Sequence, residues 1–397
     1  MESRVPPFTG TPRVLRAIND RAALQLLLSH GALSRSQMGE LTGLSKPTAA
    51  ELLTRLHKDG LVVERGMTRG GRGPNAQLYA INERAAFVGA VDAAEDYMTV
   101  AVADITGHTM GETTSRVDFT GGADPVPVLR TLLSRASRRG GLTRHELRHV
   151  VIGVPGAYDE ASDSLAFSSH LPAWSEPGVI QRLRNSLGGT ITIENDVNLA
   201  AVGERTRGIA RDVEGFALLW VGEGLGLAID IAGSLYRGAT GGAGEIGYMP
   251  VLGTSRRGRA TPAVTLQDLV GSPAVLALAM EYGVTAATAA EAVAVAAADT
   301  SARAGFLTEL ASRLATGLAT IVAVLDPSLI VLSGTTALAG GDRLAELVGT
   351  ELQRISPFRK SVVLSAVSGS PVLAGAVETA VDMVRNELFG VAGVSNV

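Results

Sequence analysis

Four stretches of this 397-residue chain hold residue types that could do chemistry. Asn195-Asp196 closes the strand-like run Ile191-Thr192-Ile193-Glu194. An amide and a carboxylate side by side at a strand end can bond sugar hydroxyls, and Asp196 could act as a general base. The same pair also suits an Asx turn. Gly222-Glu223-Gly224-Leu225-Gly226 lies between two strand-like runs and could cradle phosphate on backbone N–H groups, although Glu223 would set a carboxylate beside it. Gly242 to Gly247 matches G-x-G-x-x-G but neither follows a strand nor opens a helix, as a dinucleotide loop must. His145-Glu146-Leu147-Arg148-His149 matches the H-E-x-x-H of zinc proteases. Between Gly140-Gly141 and the strand Val150 to Val154 there is room for barely two helical turns, and only His170 follows as a further histidine. The stretch is read as a short connecting helix, and no metal site is expected. The chain has no cysteine, which excludes disulfides, thiolate metal sites and a cysteine nucleophile.

The elements that must position these residues divide the chain. Residues 1–82 carry 11 basic and 6 acidic side chains, a net charge of +5, while the remainder stands at −9. A basic head on an acidic body suggests nucleic-acid contact confined to the head. Arg13 to His30 reads as a helix with an apolar face of Val14, Leu15, Ile18, Ala22, Leu26 and Leu27, ended by Gly31. Ser34 to Gln37 has the form of a capping box, with Met38 and Leu41 facing inward and a turn at Thr42-Gly43. Ser45 caps the next helix, Lys46 to Asp59, whose buried side is Leu52, Leu53 and Leu56. Two short helices joined by a glycine turn form a helix-turn-helix, and the second helix enters the major groove. Ser45, Lys46, Thr48 and Ala49 are candidate DNA contacts there, and Arg35 on the first helix is a further one. Strands at Leu61 to Glu64 and Gln77 to Ile81 enclose a wing whose tip holds Arg69 and Arg72, suited to a narrow minor groove.

Residues 83–397 read as α/β with two related halves, each β-β-β-α-β, and a cleft between them. The expected domains are 1–82, an N-terminal lobe of 83–200 with a C-terminal helix from about 371 packing back onto it, and a C-terminal lobe of 201–370. Strands are expected at Phe87 to Ala94, Tyr97 to Asp104 and Thr109 to Asp118, and a hairpin at Phe216 to Ile231. Single alanine-rich helices are expected at Ser272 to Asp299 and Ser301 to Leu325. The apolar run Leu318 to Leu332 is broken by Asp326-Pro327 and reads as too short to span a bilayer, and Met1 to Gly10 has no apolar leader core. The expected location is the cytoplasm.

Taken together, these motifs resemble the ROK family of sugar-responsive repressors and sugar kinases over nearly the whole chain. The resemblance is carried by L-S-R-S-Q-M-G-E-L-T-G-L-S-K-P-T (Leu33 to Thr48), V-P-G at Val154, L-P-A-W at Leu171, E-N-D-V-N-L-A-A-V-G-E at Glu194, G-A-G-E-I-G-Y at Gly242 and L-D-P-S-L-I-V-L-S-G at Leu325. It implies a two-lobed actin- or hexokinase-like (ribonuclease H-like) body behind a winged helix-turn-helix. It also implies sugar contacts from Asn195, Asp196 and Glu245. The family histidine of that site is Tyr248 here, a family glutamate falls at Gln267, and His170 is counted with them as a ligand candidate.

Two departures separate the chain from the family's kinases. Their D-x-G-G-T and G-T-G phosphate motifs are here Asp92-Ala93-Ala94-Glu95-Asp96 and Gly222-Glu223-Gly224, so carboxylates stand where phosphates would lie. The family's zinc cysteines are absent from Thr254 to Gln267. The expectation is a homodimeric (or dimer-of-dimers) regulator without cofactor, binding pseudo-palindromic operator DNA and a sugar or sugar derivative. Asp196 would then be non-catalytic. The alternatives are a sugar kinase with a DNA-binding appendage and a ligand-independent regulator.

Overall fold

The computed structural model describes residues 12–67, 76–159, 163–166, 171–251, 264–298 and 304–389. Local capping chemistry builds the head. It comprises α1 (Pro12–His30), β1 (Leu33–Ser34), α2 (Arg35–Thr42), α3 (Lys46–Lys58), β2 (Val62–Met67) and β3 (Gln77–Ile81). Ser34 and Gln37 close a reciprocal capping box on α2, and Gly43 turns left-handed at φ 71° to release the chain toward α3. The Ser45 hydroxyl accepts from the Thr48 N–H and starts α3. The three strands form one antiparallel sheet in the order β1-β3-β2. Leu24, Leu27, Met38, Leu52, Leu53 and Leu56 fill the core beneath it.

Two details of the head differ from the sequence pattern. Leu15 (56% exposed) and Ile18 (51% exposed) are not core residues, because the buried positions of α1 are Ala23, Leu24 and Leu27, all in its second half. Leu41 is 47% exposed, so α2 buries only Met38 and Gly39. The wing tip, with Arg69 and Arg72, lies outside the described residues.

The first lobe contains β4 (Phe87–Ala93), β5 (Tyr97–Asp104), β6 (Thr109–Arg116), α4 (Pro125–Arg139), β7 (Leu147–Val154), a small hairpin of β8 (Ala157–Asp159) and β9 (Ser164–Ala166), α5 (Val179–Leu187) and β10 (Thr190–Asn195). Its sheet runs β10-β7-β4-β5-β6, with β4 parallel to β7 and antiparallel to β5. The H-E-x-x-H stretch is not a helix. Arg144–Glu146 is a 3-10 turn, His149 lies on β7, and its Nε2 is 2.9 Å from Thr192 Oγ1. The expected connecting helix gives way because β7 starts at Leu147, earlier than the apolar run suggests.

Next come α6 (Asp196–Arg207), β11 (Phe216–Val221), β12 (Leu225–Ile231), β13 (Ser234–Leu235) and a short pair, β14 (Pro250–Val251) with β15 (Val264–Thr265). The helices α7 (Leu266–Val270), α8 (Ser272–Glu281), α9 (Ala289–Ala298) and α10 (Ala304–Leu325) precede β16 (Leu329–Ser333). The chain continues through α11 (Thr335–Ala339), α12 (Gly341–Ile355), β17 (Ser361–Leu364) and α13 (Pro371–Phe389). The second sheet, β13-β12-β11-β16-β17, repeats the first: a central strand, an antiparallel partner on one side and a parallel one on the other. The alanine-rich segment expected as one helix is two, α8 and α9. Tyr282 ends α8 and Gly283 follows at φ 71°, a conformation that breaks a helix without side-chain cost. By length and composition alone Gly305–Leu325, which ends before the Asp326-Pro327 break, could cross a membrane, but half of it is buried inside the second lobe.

α13 returns to the first lobe, packing on α6, β4 and β7. It crosses α6 at two glycines: a Cβ on Gly375 would stand 1.8 Å from the Leu199 carbonyl oxygen, and one on Gly203 2.6 Å from that of Pro371. At its far end the Asn386 amide oxygen accepts from Arg21 of α1 at 3.2 Å. One apolar cluster runs from Leu24 and Leu27 of the head through Val88 and Ile105 to Val377 and Val381 of α13.

Candidate functional site

A cavity of about 450 Å³ opens between the two sheets. The turn joining β4 to β5 and the equivalent turn joining β11 to β12 both line it, which follows from the repeated topology. Pro155-Gly156 after β7 and Asn195-Asp196 at the end of β10 add to the first lobe's side, and the Gly241–Glu245 stretch, Thr288, Ala290 and Thr335 to the second's. This is where an α/β sheet gathers its ligand groups, at the ends of parallel strands.

The charged groups of that lining are all carboxylates among the described residues. Glu95, Asp96, Asp196, Glu223 and Glu245 all face it, and among the described residues no Lys, Arg or His does. Asp92 lies buried at the end of β4. Its carboxylate accepts from the Ser370 hydroxyl (2.7 Å) and the Tyr97 hydroxyl (3.4 Å), and burial raises its pKa. Burial first, then the charges of Asp92 and Glu245, push Asp196 up to about 7. Burial also raises Glu245. Two like charges 4 Å apart near a protein surface repel by about 4 kcal/mol. A polyphosphate entering this cleft would meet such repulsion with no cation among the described lining residues to offset it. Tyr97 and Trp220 supply aromatic surface to the same space.

The expected ligand residues do not all converge. Asp196 and Glu245 reach the cavity. Asn195 lines it too, and its amide also serves the fold: Oδ1 accepts from the Asn198 N–H (2.9 Å) as the cap of α6, and Nδ2 donates to the Gly156 carbonyl (3.1 Å). Tyr248 is 61% exposed and is not a lining residue. Gln267 is not one either; its Oε1 accepts from the Leu225 N–H at 3.2 Å and pins the start of β12. His170 lies outside the described residues, as does most of the Thr254 to Gln267 segment where the zinc motif is missing.

Glu194, which the sequence reading passed over, joins the lobes. One oxygen accepts from the Asn195 N–H and the Asn198 amide, both at 3.0 Å, and the other takes Arg237 of the second lobe at 2.8 Å. Glu204 is fully buried, with no cation paired to it among the described residues. It accepts from the Ser365 hydroxyl, from Ile209 N–H (3.0 Å) and from Ala366 N–H (3.1 Å), tying α6 to the loop after β17. Both glutamates belong to the E-N-D-V-N-L-A-A-V-G-E run, which was the available signal.

The head presents a second candidate surface. Ser45, Lys46 and Thr48 are exposed at the start of α3, and the Ser45 and Thr48 hydroxyls lie 2.8 Å apart. Arg35 is held rather than loose. Its guanidinium donates to the Tyr79 hydroxyl at 2.6 Å and lies 5.4 Å from that ring's centroid. α3 is braced from behind by the Arg55–Asp20 ion pair to α1.

Comparison with known proteins adds to this geometry. The sequence profile of the ROK family matches residues 88–377, and a winged helix-turn-helix DNA-binding profile matches residues 16–63. A putative xylose repressor of Caldicellulosiruptor sp. (strain Rt8B.4) is 28% identical over 247 residues, which is 61% of each chain. The chain thus spans about three fifths of that relative's length. A crystal structure of a ROK family transcriptional regulator, a homologue of the E. coli MLC protein, superposes with a TM-score of 0.74 at 17% identity, covering 96% of this chain and all of the other. The ROK hexokinase of Thermus thermophilus superposes with a TM-score of 0.63 at 22% identity, over 76% of this chain and 99% of that one.

Proposed function

The chain belongs to the ROK family, and from that premise we propose that it is a sugar-responsive transcriptional repressor rather than a kinase. One observation carries this reading: a winged helix-turn-helix with an exposed Lys46 helix is joined to a cleft whose phosphate positions hold Glu95, Asp96 and Glu223. The protein acts in the cytoplasm as a homodimer whose two heads meet adjacent major grooves of a pseudo-palindromic operator. Residues 1–82 form the head, 83–200 and 201–370 the lobes. A sugar or sugar derivative enters between Asp196 and Glu245, closes the lobes and changes the spacing of the heads. That change requires the ligand to bind one arrangement better than the other. The xylose repressor relative makes a free aldose the first effector to try.

The test is a gel shift with DNA selected by the protein, repeated across a sugar panel. Retarded DNA released by one sugar supports the reading; no sequence-specific retardation overturns it. Lys46→Ala should weaken binding to every sequence alike and lower the salt slope by about one charge. An unchanged slope would remove Lys46 from the phosphate contacts.

A kinase reading has one observation in its favour. Asp196 stands at the family's base position with its pKa pushed up to about 7, where a general base works well. ATP consumption dependent on a sugar, and abolished by Asp196→Asn, would establish that reading instead.

A further inference from the structure

α3 buries Ala49, Leu52, Leu53 and Leu56 on one side. At 3.6 residues per turn the opposite side is Pro47, Glu51, Thr54 and Lys58, and all four are exposed. This is the side a helix-turn-helix offers to the major groove. Thr54 has spent its hydroxyl on the Ala50 carbonyl at 2.8 Å, which leaves its methyl outward. Glu51 stands in the middle of the face. Arg55, its nearest cation along the helix, feels the Glu51 charge but spends its hydrogen bonds on Asp20. A carboxylate in this place, on a head of net positive charge, loses affinity for any DNA unless a base edge donates to it.

Only two groups in the major groove can donate, the amino groups of cytosine N4 and adenine N6. Adenine sets its N7 acceptor beside the amino group, where it would repel the second carboxylate oxygen. Cytosine has no acceptor there. We propose that Glu51 determines the sequence specificity of the head by accepting a hydrogen bond from the N4 amino group of one cytosine in each operator half-site. The proposal rests on the reading of the head as a DNA-binding module.

The experiment is selection from a pool of random duplexes by the purified full-length protein, with Glu51→Gln and Glu51→Ala in parallel. Glu51 is exposed, so both variants should melt as the wild type does. The wild type should enrich a C·G pair at one fixed position of each half-site. Glu51→Gln should keep the rest of the site but exchange that pair for A·T, because an amide offers both a donor and an acceptor to adenine. It should also bind the wild-type site about tenfold more weakly. Glu51→Ala should lose preference at that position alone. If both variants enrich the wild-type sequence, cytosine included, Glu51 does not read it. If the wild type enriches no sequence at all, the DNA-binding reading falls and the Glu51 assignment with it.

Discussion

Gly375→Ala should destabilise the body by about 3 kcal/mol, the upper end for an overpacked site, because no neighbour there is flexible. The added Cβ would lie 1.8 Å from the Leu199 carbonyl oxygen, 2.6 Å from its carbon and 3.1 Å from the Gly203 nitrogen. All three are backbone atoms within a helix, so none can rotate aside. α13 and α6 would have to separate, loosening Leu199, Ala200, Val372 and Ala376, all now in the core. Gly349→Ala in α12 is the matched control. Its Cβ would meet only Val362, at 3.8 Å, and a helical Gly→Ala exchange should be neutral or stabilising by up to about 1 kcal/mol. Denaturant midpoints at constant slope read both. Equal midpoints for Gly375→Ala and the wild type would contradict so close a crossing. The consequence would extend beyond stability, because α13 runs from the Ser370 contact on Asp92 to the Asn386 contact on the head.

Asp196→Asn should change how stability depends on pH. An aspartate in the unfolded chain ionises near 3.9, whereas Asp196 in the fold is pushed up to about 7. Between those values the folded state keeps a proton that the unfolded state has released. Stability contributed by this group is therefore complete below about pH 4 and lost as pH rises through 7. At about 1.4 kcal/mol per unit the loss is up to about 4 kcal/mol. The amide of the variant cannot ionise, so Asp196→Asn should match the wild type near pH 4 and exceed it by a few kcal/mol at pH 8. Burial raises Asp92 and Glu245 in the same direction, and because their charges act on Asp196 the comparison reads Asp196 together with its coupling to them. A stability difference that does not change between pH 5 and pH 8 would count against the buried acidic cluster.

What could be read from the chain depended on how far apart the interacting groups lie in it. The caps at Ser34 and Ser45 satisfy N–H groups three residues away, so they were legible as written. The helix at Pro125–Arg139 and the strands at Tyr97–Asp104 and Gln77–Ile81 were legible for the same reason. Periodicity failed where it carried little contrast. An alanine-rich stretch is apolar all round, so it concealed the break at Gly283, and the pattern on α1 included Leu15 and Ile18, which the described residues leave about half exposed.

At the candidate site the sequence by itself determined the chemical types: no cysteine for zinc, carboxylates in both phosphate turns, and an Asn-Asp pair at a strand end. It left Asn195 open between ligand contact and turn. Only tertiary structure showed that its amide bonds the Gly156 carbonyl, 39 residues away, while the residue still lines the cavity. Tertiary structure alone also brought Glu95, Asp196, Glu223 and Glu245 into one cavity, set Glu194 against Arg237 across the lobes, and left Gln267 and Tyr248 off the lining. The physical reason is common to all of these. Residue type sets what a group can do, whereas the distances that decide whether it does so, and the dielectric and neighbouring charges that shift Asp196, exist only once the two sheets have packed.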